Sequence, residues 1–224
     1  FGSTHASSYK KTRNELDGWD TSSKLSPWLN SGSLSARRAL SHLRSYEQTA
    51  GANDSTYWLY IELLWREYFQ WIAVQIGPKL FSLRGISSCG GFKCFYPERF
   101  EKWCQGTTPY PLVNACMKQL KATGYLSNRG RQIAASCLVN ELEMDWRYGA
   151  AWFEHQLCDY DVASNWGNWQ YIAGVGVDPR GGRHFNLQKQ TETYDRAGSY
   201  VARWSPGPVL QTLDTRDAAD WPIG

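Results

Sequence analysis

Between Ser127 and Tyr171 the chain contains no proline and only three glycines, Gly130, Gly149 and Gly167. So long a stretch with so little turn punctuation reads as consecutive helices joined by very short links. Polar groups recur through it at helical spacing, among Trp and Leu. Asn128 and Arg131 lie three apart and share a face with Ala135 and Leu138. Asp161, Asn165 and Trp169 follow at four-residue steps and form one stripe on a helix. A buried Asp or Asn must be hydrogen-bonded or it costs about 1–3 kcal/mol. Such a row beside an arginine fits a large, polar-edged aromatic ligand held inside a helical bundle. On spacing alone, helix caps and satisfied polar pairs are the simpler reading.

The flanking segments carry the same period. Residues 1–32 are rich in Ser, Thr, Gly and Lys and read as irregular. Within them, TSSKLSPWLNSGSLS is a loop of hydroxyls around Lys24, of the kind that can hold a phosphate or simply make turns. Ser35 caps a helix over Arg37–Gln48. GANDSTYWLYIELLWREYFQWIAVQIGP is a helix capped by Asn53–Ser55 and stopped by Gly77-Pro78. Its Trp58, Ile61, Trp65, Tyr68, Phe69 and Ile72 fall at helical spacing, so much of it should be buried. Glu62 and Arg66 are spaced as an i,i+4 ion pair. Residues 79–97 read as a loop, Glu98–Gln105 as a short helix, and Pro111 opens a helix that Gly124 closes. Gly174–Gly182 is a loop, and its G-V-G lacks the context of a dinucleotide fingerprint. The tail from Ser205, with its SPGP, is irregular. With almost no period-two alternation, the fold class is all-α, and no linker divides the chain into two domains.

Composition narrows the function classes. A net charge of +3 permits nucleic-acid contact without demanding it. The 12 Trp and 13 Tyr are far more telling, since large aromatics build cores and also stack on bases. Cys89, Cys94, Cys104, Cys116, Cys137 and Cys158 show no zinc spacing and read as mostly reduced thiols. His5, His42, His155 and His184 form no ligand pair, so no metal is expected. The apolar run YFQWIAVQI is broken by Gln70 and Gln75, so no membrane span is expected. A start at Phe1, without Met or signal peptide, reads as a piece of a longer intracellular protein.

At this point the residues carry a resemblance. SSYKKTRN, TSSKLSPWL, GANDSTYWLYIELLWREYF, FEKWCQGTTPYPLVNACMKQLKATGYLSNRGRQIAAS, DWRYGAAWF, DYDVASNWGNWQY and GVGVDPRGGRHFN run in order along nearly the whole chain. Together they resemble the FAD-binding helical domain of the photolyase/cryptochrome family, most closely its DASH branch. The resemblance implies one flavin domain over residues 1–224, without the family's amino-terminal α/β antenna domain. It implies a non-covalent, folded FAD. Tyr9, Ser22, Ser23, Leu25 and Ser26 match its phosphate and ribityl contacts. Glu62, Trp65 and Arg66 match the helix facing both flavin and substrate. Asn128 and Arg131 match an Asn-Arg motif of the family, with Arg131 set against Asp159. Asp159 and Asp161 match acidic residues near the ring and adenine, and Asn165 takes the place opposite the flavin's N5.

The resemblance implies light-driven repair of cyclobutane pyrimidine dimers, with Glu62, Asn128 and Asn165 as the catalytic set. Trp65, Asn128, Arg129, Gln132 and Tyr171, with Glu62, would form the substrate cavity. Tyr171 and Gln132 stand where duplex-repairing relatives tend to have Trp and Met, which implies a preference for single-stranded DNA. RNA is a second candidate partner, and the antenna domain of a parent chain a third. Reduction of oxidised flavin would run through Trp169 and Trp146. The family's distal tryptophan falls near Phe92–Lys93, where none stands. Either Phe95, Tyr96 or Trp103 takes over, or photoreduction is slow. A second departure is Trp204-Ser205-Pro206-Gly207-Pro208, where relatives often read Trp-Leu-Pro-Glu-Leu. The rival reading is a blue-light receptor that signals through a protein partner without repair. Relatives occur in bacteria and in plant organelles, so cytoplasm, chloroplast, mitochondrion and nucleus all remain open.

Overall fold

The computed structural model describes residues 4–87, 94–177 and 182–214. Described residues form helices joined by turns, and their one β feature is an isolated bridge between Cys94 and Met144. In chain order the helices are α1 (His5–Thr12), α2 (Ser26–Asn30), α3 (Ala36–Ala50), α4 (Asp54–Ile76), α5 (Pro97–Gln105), α6 (Pro111–Thr123), α7 (Asn128–Ser136), α8 (Trp146–Gln156), α9 (Val162–Ala173), α10 (Leu187–Tyr194) and α11 (Ser199–Trp204). One 3₁₀ turn, Gly77–Phe81, extends α4, and a π-helical turn, Cys137–Glu141, extends α7. No helix among the described residues is long and apolar enough to cross a membrane.

Local chemistry sets the ends. Asn53 and Thr56 make a reciprocal capping box at the start of α4. Ser35, Ser127, Asp145 and Asp161 each cap a following helix through the side chain. Gly124 ends α6 at φ 67°, a left-handed conformation that favours glycine.

Three sequence expectations change. Residues 1–32 are not wholly irregular. They hold α1 and the single-turn α2, and the loop around Lys24 contains the latter. Neither helix has a strong apolar stripe of its own. Tertiary contact holds α1 on α4, through a Lys10 N–H bond to Ser55 Oγ at 3.1 Å, and on α3, through a Ser7–Tyr46 hydroxyl contact of 2.7 Å. Second, α4 is far less buried than its aromatics promise: only Leu59 and Phe69 among its apolar side chains are buried, while Tyr57, Leu64, Trp71 and Val74 face outward. Third, Glu62 and Arg66 do not pair with each other. Glu62 takes Arg13 from α1, and Arg66 reaches Asp161 at 3.5 Å. Position 79–97 holds the end of the 3₁₀ turn, and the short helix begins at Pro97. Cys89, and parts of the 79–97 loop, the Gly174–Gly182 loop and the tail, lie outside the described residues.

Two apolar clusters result. The larger is built on Trp103, Met117, Leu120, Ile133, Leu138, Trp146, Phe153 and Trp169. The smaller packs Ala6, Leu43 and Leu59 with Tyr9, Tyr46 and Tyr60. Between them the helices leave a cleft.

Candidate functional site

The cleft is a cavity of about 620 Å³ whose wall takes Tyr9, Leu43 and Leu59 from the smaller cluster and Leu126 from the larger. A narrower recess of about 130 Å³ opens off it between α7 and α9. They share Asn128, Arg131, Gln132, Asp159, Asp161, Ser164, Asn168 and Tyr171. Volumes of this order suit a large organic ligand.

One end of the main cavity is hydroxylic and cationic. Ser22, Ser23, Leu25 and Ser26 line it together with Lys24. Lys24 has φ 52°, uncommon for a residue with a side chain, and this strain is held at a cavity wall. Its Nζ donates to the Tyr125 hydroxyl at 2.8 Å and lies 4.2 Å from that ring's centre. An ammonium among three serine hydroxyls is a donor set for phosphate.

The inner end is built on α7 and α9. Arg131 Nη2 donates to both Asp159 oxygens, at 2.9 and 2.8 Å, and its Nε to the Leu126 carbonyl at 2.8 Å. The Asp159 side chain is 1% exposed, so this pair is desolvated on the carboxylate side. Asp161 caps α9 through Ser164 N–H at 2.8 Å and faces Arg66 across the cavity. Asn165 donates Nδ2 to the Ala150 carbonyl at 2.9 Å, which fixes the amide. Its Oδ1 then has no protein donor among the described residues. Gln132 presents a buried Oε1 that likewise lacks a partner. Trp169, 3% exposed, closes the recess. Gly149 of α8 makes room for it: a Cβ there would lie 2.2 Å from the Trp169 ring.

The mouth is aromatic. Trp65 is 48% exposed on the cavity rim and meets Tyr68 edge-on at 5.5 Å. Arg13 is held by Glu62 and stacks against Tyr9 and Trp58, its guanidinium carbon 5.8 and 5.2 Å from their centres. Burial raises the Tyr9 phenol above its ordinary value, with the Glu62 charge adding to it.

Nearly every residue expected from the sequence lies on these walls: Tyr9, Ser22, Ser23, Leu25, Ser26, Glu62, Trp65, Arg66, Asn128, Arg131, Gln132, Asp159, Asp161, Asn165, Trp169 and Tyr171. Two do not. Arg129 turns away, donating to Asn14 at 3.0 Å and stacking on Tyr194 at 4.9 Å. Half-buried there, it has a lowered pKa, chiefly through desolvation. Trp146 is buried behind the wall, its Nε1 bonded to the Leu83 carbonyl at 3.1 Å. Sequence reading missed Arg13, Trp58, Tyr125 and Asn168. Reading 1–32 as irregular hid Arg13, which follows Tyr9 by four positions and caps the end of α1. Asn168 could have been found as the next polar step beyond Asn165.

The replacement aromatics suggested for the distal position are also placed. Phe92 and Lys93 lie outside the described residues. Trp103 touches Trp169 edge-on at 6.2 Å but is fully buried, and Phe100 leads from it towards Tyr148. Phe95 stacks on Tyr148 at 4.2 Å, and Tyr96 lies against Arg99.

Comparison with known proteins agrees with this geometry. A family model described as the FAD binding domain of DNA photolyase matches residues 58–221. The chain is 59% identical over 223 residues to a Cryptochrome DASH of Idiomarina loihiensis, covering 100% of this chain and 50% of that protein. It superposes on a Synechocystis sp. PCC6803 cryptochrome with TM-score 0.86 and 49% identity, over 90% of this chain and 42% of that one. A class III photolyase from Agrobacterium tumefaciens gives TM-score 0.78 and 31% identity, over 91% and 43%. The chain thus spans about half the length of the curated relatives it matches.

Proposed function

Because this chain belongs to the photolyase/cryptochrome family and carries its FAD-binding domain, we propose that it serves light-driven repair of cyclobutane pyrimidine dimers in single-stranded DNA. The observation carrying the proposal is the two-part cavity, with a polar-walled recess behind an aromatic mouth. The donor set fits FAD. Lys24 and the serines would hold the pyrophosphate. The neutralised Arg131–Asp159 pair, the Asn165 amide and the unpartnered Gln132 oxygen match the alternating donors and acceptors of an isoalloxazine edge. Bound FAD, once reduced and excited by blue light, supplies the electron that opens the cyclobutane ring.

The chain's own work is to bind, orient and keep water away. Trp65 and Tyr171 offer π-faces to two splayed bases. Glu62 and Asn128 accept and donate at the pyrimidine edges, while Arg13 holds the Glu62 carboxylate in place. Asn165 is an amide and cannot give up a proton as an aspartic acid does. A preference for single strands follows from the energy of extruding two stacked bases from a duplex, a few kcal/mol that a single strand does not demand. Arg129, facing Asn14 and Tyr194, acts outside the cavity as a rim cation for the DNA backbone.

The test is recovery of thymine absorbance in irradiated single-stranded oligonucleotides exposed to blue light with reduced, FAD-loaded protein. Recovery above a dark control is expected, with weaker DNA binding as salt rises. FAD binding without any recovery would overturn the repair reading, and a light-dependent protein partner found under those conditions would replace it with signalling.

A further inference from the structure

Besides Trp169, the recess has a second oxidisable aromatic on its wall, and its surroundings differ. Tyr160 lies in the link between α8 and α9 and lines the recess. Its hydroxyl oxygen accepts from Trp166 Nε1 at 3.3 Å, and the same indole N–H donates to Glu154 Oε2 at 2.9 Å. One indole N–H thus holds the Glu154 carboxylate and the Tyr160 hydroxyl side by side. Trp166 is fixed from behind by Trp146 and Phe81, edge-on at 5.8 and 4.9 Å. Glu154 is exposed, so the carboxylate joins the phenol to solvent. No side-chain carboxylate accepts from the Trp169 indole among the described residues.

Removing an electron from a phenol makes its O–H strongly acidic, so the step is easy only where a base stands ready for the proton. At Tyr160 a carboxylate is held on the same indole N–H as the phenol oxygen before any oxidation. Burial, with Glu154 beside it, pushes the phenol up to about 12, so near neutral pH the proton is on the oxygen and available for transfer.

We propose that Tyr160 is a redox-active residue of the recess, with Glu154 as its proton acceptor and Trp166 as the positioning residue that holds both. This rests on the reading of the recess as the flavin site. When oxidised FAD there is excited by light, one electron passes from Tyr160 to it. The phenolic O–H bond breaks and the proton goes to the Glu154 carboxylate, leaving a neutral tyrosyl radical. A soluble thiol then gives a hydrogen atom to the tyrosyl oxygen and becomes a thiyl radical, while Glu154 releases its proton to water. The site thus supplies reducing equivalents to the cofactor through a tyrosine.

The test is flash photolysis of the oxidised, FAD-loaded protein, with transient absorption and electron paramagnetic resonance as readouts. A tyrosyl signal is expected in the native protein and is lost in Tyr160→Phe. Glu154→Gln, at an exposed position, slows its formation by on the order of 10²-fold and Glu154→Asp restores most of it, as for loss and return of a general base. In heavy water the native rate falls and the Glu154→Gln rate is less affected. No tyrosyl radical in the native protein, or an unchanged one in Tyr160→Phe or Glu154→Gln, overturns the proposal. Repair by chemically reduced native protein, assayed alongside, separates the two readings: repair without a tyrosyl radical defeats this inference alone. Failure to bind FAD defeats both.

Discussion

Replacing Arg131 with methionine removes the charge and hydrogen bonds but keeps the length of the side chain. The Asp159 carboxylate, 1% exposed, receives both of its hydrogen bonds from the Arg131 guanidinium, at 2.9 and 2.8 Å. Breaking a buried pair from one side costs about 3–5 kcal/mol, because a desolvated charge is left alone. Arg131 is 28% exposed, and water entering where its head group stood places the expected loss near the lower bound, ~3 kcal/mol. The Leu126 carbonyl also loses its Nε donor, adding roughly 1 kcal/mol. The double variant Arg131→Met/Asp159→Asn should therefore be more stable than the single one, although it changes more atoms. A buried amide without partners costs about 1–3 kcal/mol, less than a buried charge. Urea unfolding followed by far-ultraviolet circular dichroism, with and without excess FAD, measures the cycle, and the difference between the two series reports the lost affinity. If Arg131→Met costs no more than about 1 kcal/mol, as an exposed pair such as Arg203–Asp17 would, the buried-pair reasoning is wrong.

Gly149→Ala would drive a methyl group into the Trp169 ring, where a Cβ would sit 2.2 Å from it. The expected loss is about 1–3 kcal/mol of stability, with altered quenching of bound flavin; an unchanged melting curve and unchanged flavin fluorescence would refute it. Trp65→Ala, at a half-exposed position, should leave stability within about 0.5 kcal/mol. The same change should weaken binding of dimer-containing single strands by about 1–3 kcal/mol, measured by fluorescence anisotropy. Burial pushes the Cys104 and Cys116 thiols up to about 12 from an ordinary 9.0. The folded state therefore holds protons that the unfolded state gives up, so stability present below pH 9 is lost as pH rises from there towards about 12. Alkaline unfolding that begins above pH 9, and is delayed in Cys116→Ala, is the expected result; a flat profile across that range would contradict it.

How much of this was legible in the sequence differs by element. The helices α3, α4 and α6 announce themselves by caps and stops, Ser35, Asn53, Pro111 and Gly124 among them, because those residues act on the backbone locally. Here α1 and α2 are different: they are held by contacts to distant residues such as Ser55 and Tyr46, which no local pattern encodes. The exposure of Trp65 and Tyr68 was hidden for a related reason. Helical spacing shows which face is apolar but not whether protein or an open cavity lies against it. Asn165 and Trp169 were found as a stripe because both lie on α9, and Asp161 joined it as the residue that caps that helix. The Arg13–Glu62 and Arg131–Asp159 pairs join different elements. The second came through family motifs, and the first appears only once α1 is seen lying on α4.

The claim at the centre of this account is that the recess closed by Trp169 holds the ring of FAD. Titrating FAD into the purified native protein and reading flavin fluorescence tests it most directly. Saturable binding with strong quenching is predicted, and Trp169→Phe should keep the binding while restoring much of the emission. Absence of saturable binding, or quenching indifferent to Trp169, would contradict it.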